Sequence, residues 1–160
     1  MIQRIYIDTS IVGGYFDEEF SEVTKDLFKR LENKEIIFIV SDLLELELTR
    51  SPQNVRELLY NFSADKFERV QLTEEAIQLA DKYITEKVIG KTSLEDCRHI
   101  ALATINKVDV LASWNFKHIV NLDRIRKYNS GNLEQGYKIL EIRSPRDILK
   151  IDENEKGQRF

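Results

Sequence analysis

Hydrophobic and polar positions divide the chain into two kinds of segment. Short, mainly apolar runs at residues 5–7, 36–40 and 108–113 have the pattern of strands that are buried on both faces. Between these runs, apolar residues recur at every third or fourth position, as they do on one face of a helix. Because the two kinds alternate, they predict a parallel sheet with helices on its faces. We therefore predict an α/β fold, a three-layer α/β/α sandwich with a central, mostly parallel sheet.

Hydroxyl residues, prolines and glycines mark where the predicted helices begin and end. Gly13-Gly14 weakens the first helix, because glycine is a poor helix former. No linker or repeat divides the chain, so we expect one domain at residues 1–151 and a polar tail at 152–160. The predicted elements are helices at residues 9–16, 21–33, 73–88 and 93–105, helices that begin at Ser41, at Ser51-Pro52 and after Ser144-Pro145, a helical or irregular stretch at 122–128, a loop at 130–132, and further strands at 66–70 and 137–142.

Composition narrows the class of protein. The chain has 160 residues and is 42% hydrophobic, which is enough for one domain with its own core. Its formal net charge of −4 gives no overall attraction for nucleic acid, so such binding would need a local basic patch. The single cysteine, Cys97, fits a reducing compartment, and no apolar run is long enough to span a membrane. Because the first strand begins close to Met1, we also expect no signal peptide and a cytoplasmic location.

Polar residues follow several predicted strands and converge on one predicted site. Asp8 comes directly after the first strand, Glu45 and Glu47 lie in the helix after the second, and Asn115 follows a later strand. Asp96 stands at the start of a helix. Since the carboxyl ends of parallel strands lie along one edge of a sheet, we expect these side chains to meet there.

A gathered set of carboxylates is costly without a cation, because like charges repel and burial penalises each of them. Mg²⁺ and Mn²⁺ prefer oxygen ligands and keep waters that a substrate can displace. A metal on such acids can orient a phosphodiester and activate water for attack. The acidic residues therefore predict metal-assisted hydrolysis of a phosphodiester bond.

Each of these residues also has a purely structural interpretation. Asp8 could cap the helix that follows its strand, and Asp96 stands at a capping-box position. Glu45 and Glu47 could form the solvated face of a leucine-rich helix, and Asn115 could be a turn residue. Only their joint order along the chain favours a functional site.

The cysteine and the histidines are expected to have structural roles, and one alternative enzyme class fits the sequence poorly. Cys97 lies on an apolar helix face with no histidine placed to activate it, so it is expected to be inert packing. His99 and His118 fit no zinc motif, and we expect surface or core positions for both. A haloacid-dehalogenase-type phosphatase would need a second aspartate two positions after Asp8, where this chain has Ser10.

Four segments in this order resemble the PIN-domain ribonucleases, and among them the VapC-like toxins of toxin-antitoxin pairs. The segments are residues 5–10, 40–48, 95–103 and 111–119. The resemblance covers nearly the whole chain. It implies a three-layer α/β/α fold, an acidic site for Mg²⁺ or Mn²⁺, and cleavage of RNA. It also implies a homodimer and a small antitoxin protein as a partner.

The resemblance assigns roles to individual residues. Asp8, Glu47 and Asp96 match the family's metal-binding acids, and the same three with Asn115 form the catalytic set. Glu45 competes with Glu47, because two positions along a helix turn a side chain by about 200° and only one can face the site. Asn115 stands where the family usually has an acid and brings no charge, so the number of bound metals stays open.

Further residues complete the predicted site. Thr9 and Ser113 supply hydroxyls that can orient the carboxylates. Arg98 and Lys117 lie close in sequence to the acidic motifs and are the predicted contacts to RNA phosphates. The alternative to a nuclease is a PIN-like module whose site, weakened by Asn115, only binds RNA or protein.

Overall fold

A parallel sheet of five strands forms the centre of the protein. The computed structural model describes residues 2–85 and 94–150. The strands are β1 (Gln3–Ile7), β2 (Ile36–Ser41), β3 (Phe67–Val70), β4 (Val110–Ala112) and β5 (Ile142–Arg143). Their order across the sheet is β3-β2-β1-β4-β5, and all four pairings are parallel. The predicted parallel sheet is therefore confirmed.

Helices cover both faces of this sheet. Successive residues of β1 point to opposite faces: Ile5 and Ile7 belong to one buried core, whereas Tyr6 belongs to the other. The two cores confirm the predicted three-layer α/β/α architecture. The helices are α1 (Thr9–Gly14), α2 (Ser21–Glu32), α3 (Asp42–Leu48), α4 (Gln53–Glu57), α5 (Glu74–Thr85), α6 (Leu94–Ile105) and α7 (Leu122–Glu134), with short 3-10 helices at Leu58–Asn61 and Ala64–Lys66 and helical turns at residues 145–150.

The strand order reverses direction beside β1. The chain passes from β1 to β2 and β3 on one side, then returns to place β4 and β5 on the other. Ile7 pairs with Ala112, so the residues that follow them, Asp8 and Ser113, leave the sheet side by side. Open α/β sheets bind ligands at this kind of reversal, outside the carboxyl ends of the strands.

The predicted loop at residues 130–132 is wrong, because α7 continues through it to Glu134. Gly131 lies against the Tyr83 ring, where an added Cβ would approach to 3.1 Å. The buried Asn132 amide accepts a hydrogen bond from the Tyr83 hydroxyl and donates to Thr104 Oγ1 at 3.1 Å. Residues typical of a loop here serve close packing and hydrogen bonding between helices.

The predicted strand at 137–142 is also wrong over most of its length, since β5 contains only Ile142 and Arg143. Ile139 is 62% exposed. The Asn129 side chain accepts a hydrogen bond from Leu140 N at 2.7 Å and donates to Leu140 O at 3.0 Å. An asparagine side chain thus satisfies the backbone groups that a neighbouring strand would otherwise bind.

Several sequence-based predictions fall outside the described residues. They are the end of the helix at 73–88, the Ser93 cap of the next helix and the polar tail at 152–160. In the described ranges, no helix combines the length and apolar character needed to cross a bilayer.

Candidate functional site

Asp8 lies at the centre of the carboxyl edge of the sheet. Its side chain is only 5% exposed and accepts a hydrogen bond from Ser10 Oγ on one oxygen and from Ser113 Oγ on the other, each at 2.6 Å. The residue precedes α1, but its side chain makes no capping hydrogen bond. No lysine or arginine among residues 2–85 and 94–150 forms an ion pair with Asp8. The carboxylate is therefore held by hydroxyls and lacks a cationic side chain.

Burial raises the pKa of the Asp8 carboxyl, and this effect outweighs the opposing effects of the hydrogen bonds from Ser10 and Ser113, of the charge of His99 and of the Ile11 backbone N–H. The charged form is thus costly at this position, because little solvent reaches it and only neutral donors contact it. A cation bound beside Asp8 would reduce that cost.

The two serines join the first and fourth strands into one structure. Ser10 Oγ accepts a hydrogen bond from Trp114 N at 2.8 Å, and Ser113 Oγ accepts one from Asn115 N at 3.0 Å. The two hydroxyl oxygens are 3.3 Å apart. Ser113 therefore orients Asp8 as the sequence predicted for a supporting hydroxyl, and Ser10, which the prediction omitted, does the same.

Glu47 is held on both carboxylate oxygens. Thr9 Oγ1 donates to Oε2, and His99 Nε2 lies 2.6 Å from Oε1. Although burial acts to raise it, the pKa of Glu47 is lowered overall by His99, by the Thr9 hydroxyl and by the charge of Arg50. Because Thr9 directly follows Asp8, its hydrogen bond holds Glu47 close to the carboxyl end of β1.

His99 extends the hydrogen-bonded chain into the core. Its side chain is 2% exposed, and its Nδ1 lies 2.6 Å from the Tyr6 hydroxyl. That hydroxyl donates to Ser41 Oγ at 3.0 Å, and Ser41 Oγ in turn accepts from Leu44 N at the start of α3. Burial raises the pKa of Tyr6, so the phenol stays protonated. One continuous network therefore links β1, β2, α3 and α6.

Glu45 and Glu47 point in different directions, as their spacing on a helix requires. Glu45 is exposed and pairs with Arg69 of β3. It lines a separate cavity together with Arg69 and Tyr60. Of the two acids, Glu47 is the one that lies in the network beside Asp8.

Asp96 is half-buried in the first turn of α6, three positions before His99. Residues three apart on a helix lie on the same side, so Asp96 shares the side of α6 that carries His99. Its charge also raises the pKa of Cys97, after the larger effect of burial, to about 12. Cys97 is thus a buried, protonated thiol, which fits the expected packing role.

Asn115 acts as a turn residue in the structure. Its Oδ1 accepts a hydrogen bond from His118 N at 2.9 Å, and its backbone oxygen accepts from Ile119 N and Val120 N. The amide thereby stabilises the turn that follows β4. One lone pair on Oδ1 is already used in this turn.

The predicted RNA-binding residues differ in exposure. Lys117 is exposed, whereas Arg98 is partly buried and its Nε has no hydrogen-bond partner among the described residues. Arg146, from the helical turns after β5, lies over the Trp114 ring at 5.6 Å. A cationic side chain is therefore packed against the residue between Ser113 and Asn115.

The acids do not form a ready-made cage for a metal. In the two described ranges, no group of three or more His, Cys, Asp or Glu side chains is close enough together to hold an ion. The Asp8 oxygens accept hydrogen bonds from serine hydroxyls, and the Glu47 oxygens contact Thr9 and His99. Asp8 and Glu47 are two oriented oxygen donors.

Sequence reasoning missed Ser10, Tyr6 and His99. Ser10 stands two positions after Asp8, which is a visible signal for a hydroxyl that bonds its carboxylate. His99 and Tyr6 gave no such signal, because His99 is 52 positions from Glu47 and 93 from Tyr6. The sequence left a surface or a core position open for His99; the structure buries it, in contact with Glu47.

Comparisons of sequence give no relative: no family model matches the chain, and no curated protein matches it significantly.

Solved structures match the fold over most of its length. VapC20 from Mycobacterium tuberculosis, described as a toxin that cleaves the sarcin-ricin loop, has a TM-score of 0.56 and 13% identity, covering 71% of this chain and 91% of that one. VapBC2 from Rickettsia felis, bound to a DNA fragment from its promoter, has a TM-score of 0.55 and 14% identity, covering 89% and 98%. DNA-bound VapBC from Salmonella typhimurium has a TM-score of 0.55 and 12% identity, covering 91% and 99%.

Proposed function

Because the chain has the VapC-like PIN-domain fold, we propose that it is a divalent-metal-dependent endoribonuclease, the toxin of a toxin-antitoxin pair. The observation that carries this proposal is the buried Asp8 carboxylate. It lies where the strand order reverses, and no lysine or arginine among the described residues forms an ion pair with it. Glu47 is held nearby by Thr9, the residue after Asp8. Oriented acids at this edge of the sheet suit a metal-assisted reaction on a phosphodiester.

The donor chemistry fits a hard divalent ion. Asp8 and Glu47 offer carboxylate oxygens, which Mg²⁺ and Mn²⁺ prefer, and no sulfur or free imidazole competes in the network. Mg²⁺ usually binds through one or two carboxylates together with waters and substrate phosphates. Two oriented acids are therefore sufficient for a first contact with the ion. We propose Asp96 as a third ligand that moves toward them on metal binding, because no three such acids among the described residues are close enough to hold an ion together. When bound, such an ion would activate a water and offset the negative charge of the phosphate.

The chain's own residues orient this site. Ser10 and Ser113 hold the Asp8 oxygens in place, and Thr9 holds Glu47. The neutral donors stabilise the carboxylates without adding a positive charge that would repel a metal. Lys117 and Arg98 are the proposed contacts to RNA phosphates, where cationic side chains position the backbone of the nucleic acid.

The proposal of RNA as substrate and of an antitoxin as partner is supported by the matching proteins. VapC20 is described as a toxin that cleaves the sarcin-ricin loop, and two further matching structures are VapBC proteins bound to DNA. We propose that this protein likewise acts on RNA, forms a homodimer and is inhibited by a small antitoxin.

Replacing Glu47 with glutamine is expected to lower RNA cleavage by about 100-fold, because the site loses one of its charged oxygen ligands. Glu45→Gln is the matched control: it removes the same charge two positions away, from an exposed pair with Arg69. That control should cleave within about twofold of the wild type, since exposed ion pairs contribute little. The assay is cleavage of a mixed RNA with Mn²⁺ and with EDTA.

Two outcomes of this assay would contradict the nuclease. Equal trace activity of the wild type and Glu47→Gln in Mn²⁺ would show that the site does not cleave RNA. RNA binding without any cleavage would favour a PIN-like binding module, an alternative suggested by the use of Asn115 as a turn residue.

Asn115→Asp is expected to tighten Mn²⁺ binding by about tenfold, because it adds a negative charge next to Ser113 and Asp8. An aspartate oxygen can accept the same hydrogen bond from His118 N, so the turn should persist. Calorimetric titration with Mn²⁺ gives the affinity, and thermal unfolding checks the fold. Unchanged or weaker affinity would mean that Asn115 lies outside the metal site.

A further inference from the structure

A buried histidine contacts the Glu47 carboxylate from inside the protein. His99 Nε2 lies 2.6 Å from Glu47 Oε1, and the ring is 2% exposed. The other ring nitrogen lies 2.6 Å from the Tyr6 hydroxyl, and the two rings meet edge to face with centroids 5.7 Å apart. Both nitrogens are therefore engaged, and the ring has one orientation available to it.

The proton between His99 and Glu47 can be assigned from the chemistry of the two groups. An ionised carboxylate only accepts hydrogen bonds, so Nε2 must carry the proton that binds Glu47. Nδ1 lies 2.6 Å from the Tyr6 oxygen, and that phenol is held in place by Ser41 Oγ and, through it, by Leu44 N at the start of α3. The orientation of His99 is thus fixed by β1 and β2, the strands that carry the site.

Glu47 also depends on His99 for its own orientation. Its carboxylate has two side-chain donors, Thr9 on Oε2 and His99 on Oε1. Thr9 is a short side chain on a helix of only six residues, whereas His99 belongs to the twelve-residue α6 and is buried. His99 is therefore the more rigid of the two supports.

We propose that His99 is the positioning residue of the metal site, which holds the Glu47 carboxylate toward Asp8 through its Nε2–H. This inference rests on the proposed function, because it assigns to Glu47 the role of a metal ligand. His99 does not itself contact metal or RNA in this assignment. It acts as the buried donor that orients a ligand, and such a donor typically contributes about 10- to 100-fold to metal affinity.

Two conservative variants test the contact of His99 with Glu47 separately from its contact with Tyr6. The amide nitrogen of glutamine is as many bonds from Cβ as Nε2, so His99→Gln can keep the donor to Glu47. The amide nitrogen of asparagine is as many bonds from Cβ as Nδ1, so His99→Asn can keep the contact with Tyr6 but loses the contact with Glu47. Both variants remove the buried ring, and similar decreases in Tm are expected for both.

Calorimetric titration of the metal-free protein with Mn²⁺ provides the test. His99→Asn should weaken Mn²⁺ binding by about tenfold or more, whereas His99→Gln should remain within about threefold of the wild type. Equal affinity of His99→Asn and the wild type would overturn the assignment of His99 and leave the nuclease intact. Equal losses in both variants would likewise overturn it, because a purely structural role would not distinguish them. A wild type that binds no Mn²⁺ would overturn the proposed function itself and this assignment with it.

Discussion

Asp8→Asn is expected to lower RNA cleavage by about 100-fold or more and, in the absence of metal, to make the protein more stable. Cleavage falls because the central charged ligand of the proposed site is removed. Stability rises because the wild-type protein buries an anion whose side-chain hydrogen-bond donors, Ser10 and Ser113, are neutral. Asparagine has nearly the same shape as aspartate. Its amide nitrogen cannot accept a hydrogen bond, so the serine hydroxyl that faces it would instead donate to the other serine, because the Ser10 and Ser113 oxygens are 3.3 Å apart.

The stabilisation should depend on pH in a definite direction. Burial raises the pKa of Asp8, so the folded protein binds this proton more tightly than the unfolded chain does. The cost of the charged form is fully present above the raised pKa and is relieved as the pH falls through it. Asp8→Asn should therefore exceed the wild type by about 2–4 °C in Tm at pH 7, a difference of about 1 kcal/mol in free energy of unfolding.

Thermal unfolding of both proteins in EDTA, from pH 4 to pH 8, measures this difference. The gap in Tm between Asp8→Asn and the wild type should narrow toward pH 4. An asparagine variant that is less stable at pH 7, or a gap that does not change with pH, would contradict the cost assigned to the buried charge.

Gly14→Ala is expected to destabilise the protein by about 1–3 kcal/mol, as overpacking of a core typically does. A Cβ at this position would lie 2.7 Å from Trp114 Cδ1 and 2.8 Å from Trp114 Nε1. The indole cannot easily yield, because it donates to Thr24 Oγ1 at 2.9 Å and stacks on Phe20 with centroids 4.2 Å apart. Displacing Trp114 would also disturb Ser10 and, through it, Asp8.

Gly13→Ala is the matched control, since a Cβ there would meet nothing within 4 Å. Alanine favours a helix over glycine by about 0.5–1 kcal/mol, so this variant should be neutral or slightly more stable. Chemical denaturation of both variants gives the free energies of unfolding. Equal effects of the two substitutions would mean that Trp114 does not pack against Gly14.

The sequence was informative about the features that have a periodic or local signal. Alternation of apolar runs and helical faces predicted the parallel sheet, and the position of Asp8 after β1 predicted where the strands end. The rotation of about 200° between helix residues two positions apart predicted that Glu45 and Glu47 would not both face one site, and Glu45 pairs with Arg69 instead.

The features that the sequence hid depend on partners far apart along the chain. His99 contacts Glu47 across 52 positions and Tyr6 across 93. Gly131 and Asn132 carry loop signals, yet Gly131 packs against Tyr83 and Asn132 bonds to Tyr83 and Thr104. A single residue's preference does not specify which surface it will meet, and tertiary contacts decided these cases.

The proposed site can be tested by soaking crystals of the wild-type protein in MnCl₂ and locating the ion by its anomalous scattering. We predict one peak within coordination distance of the carboxylate oxygens of both Asp8 and Glu47. Peaks only at surface acids such as Glu45, or no peak at a Mn²⁺ concentration that supports RNA cleavage, would contradict a metal held by these two residues.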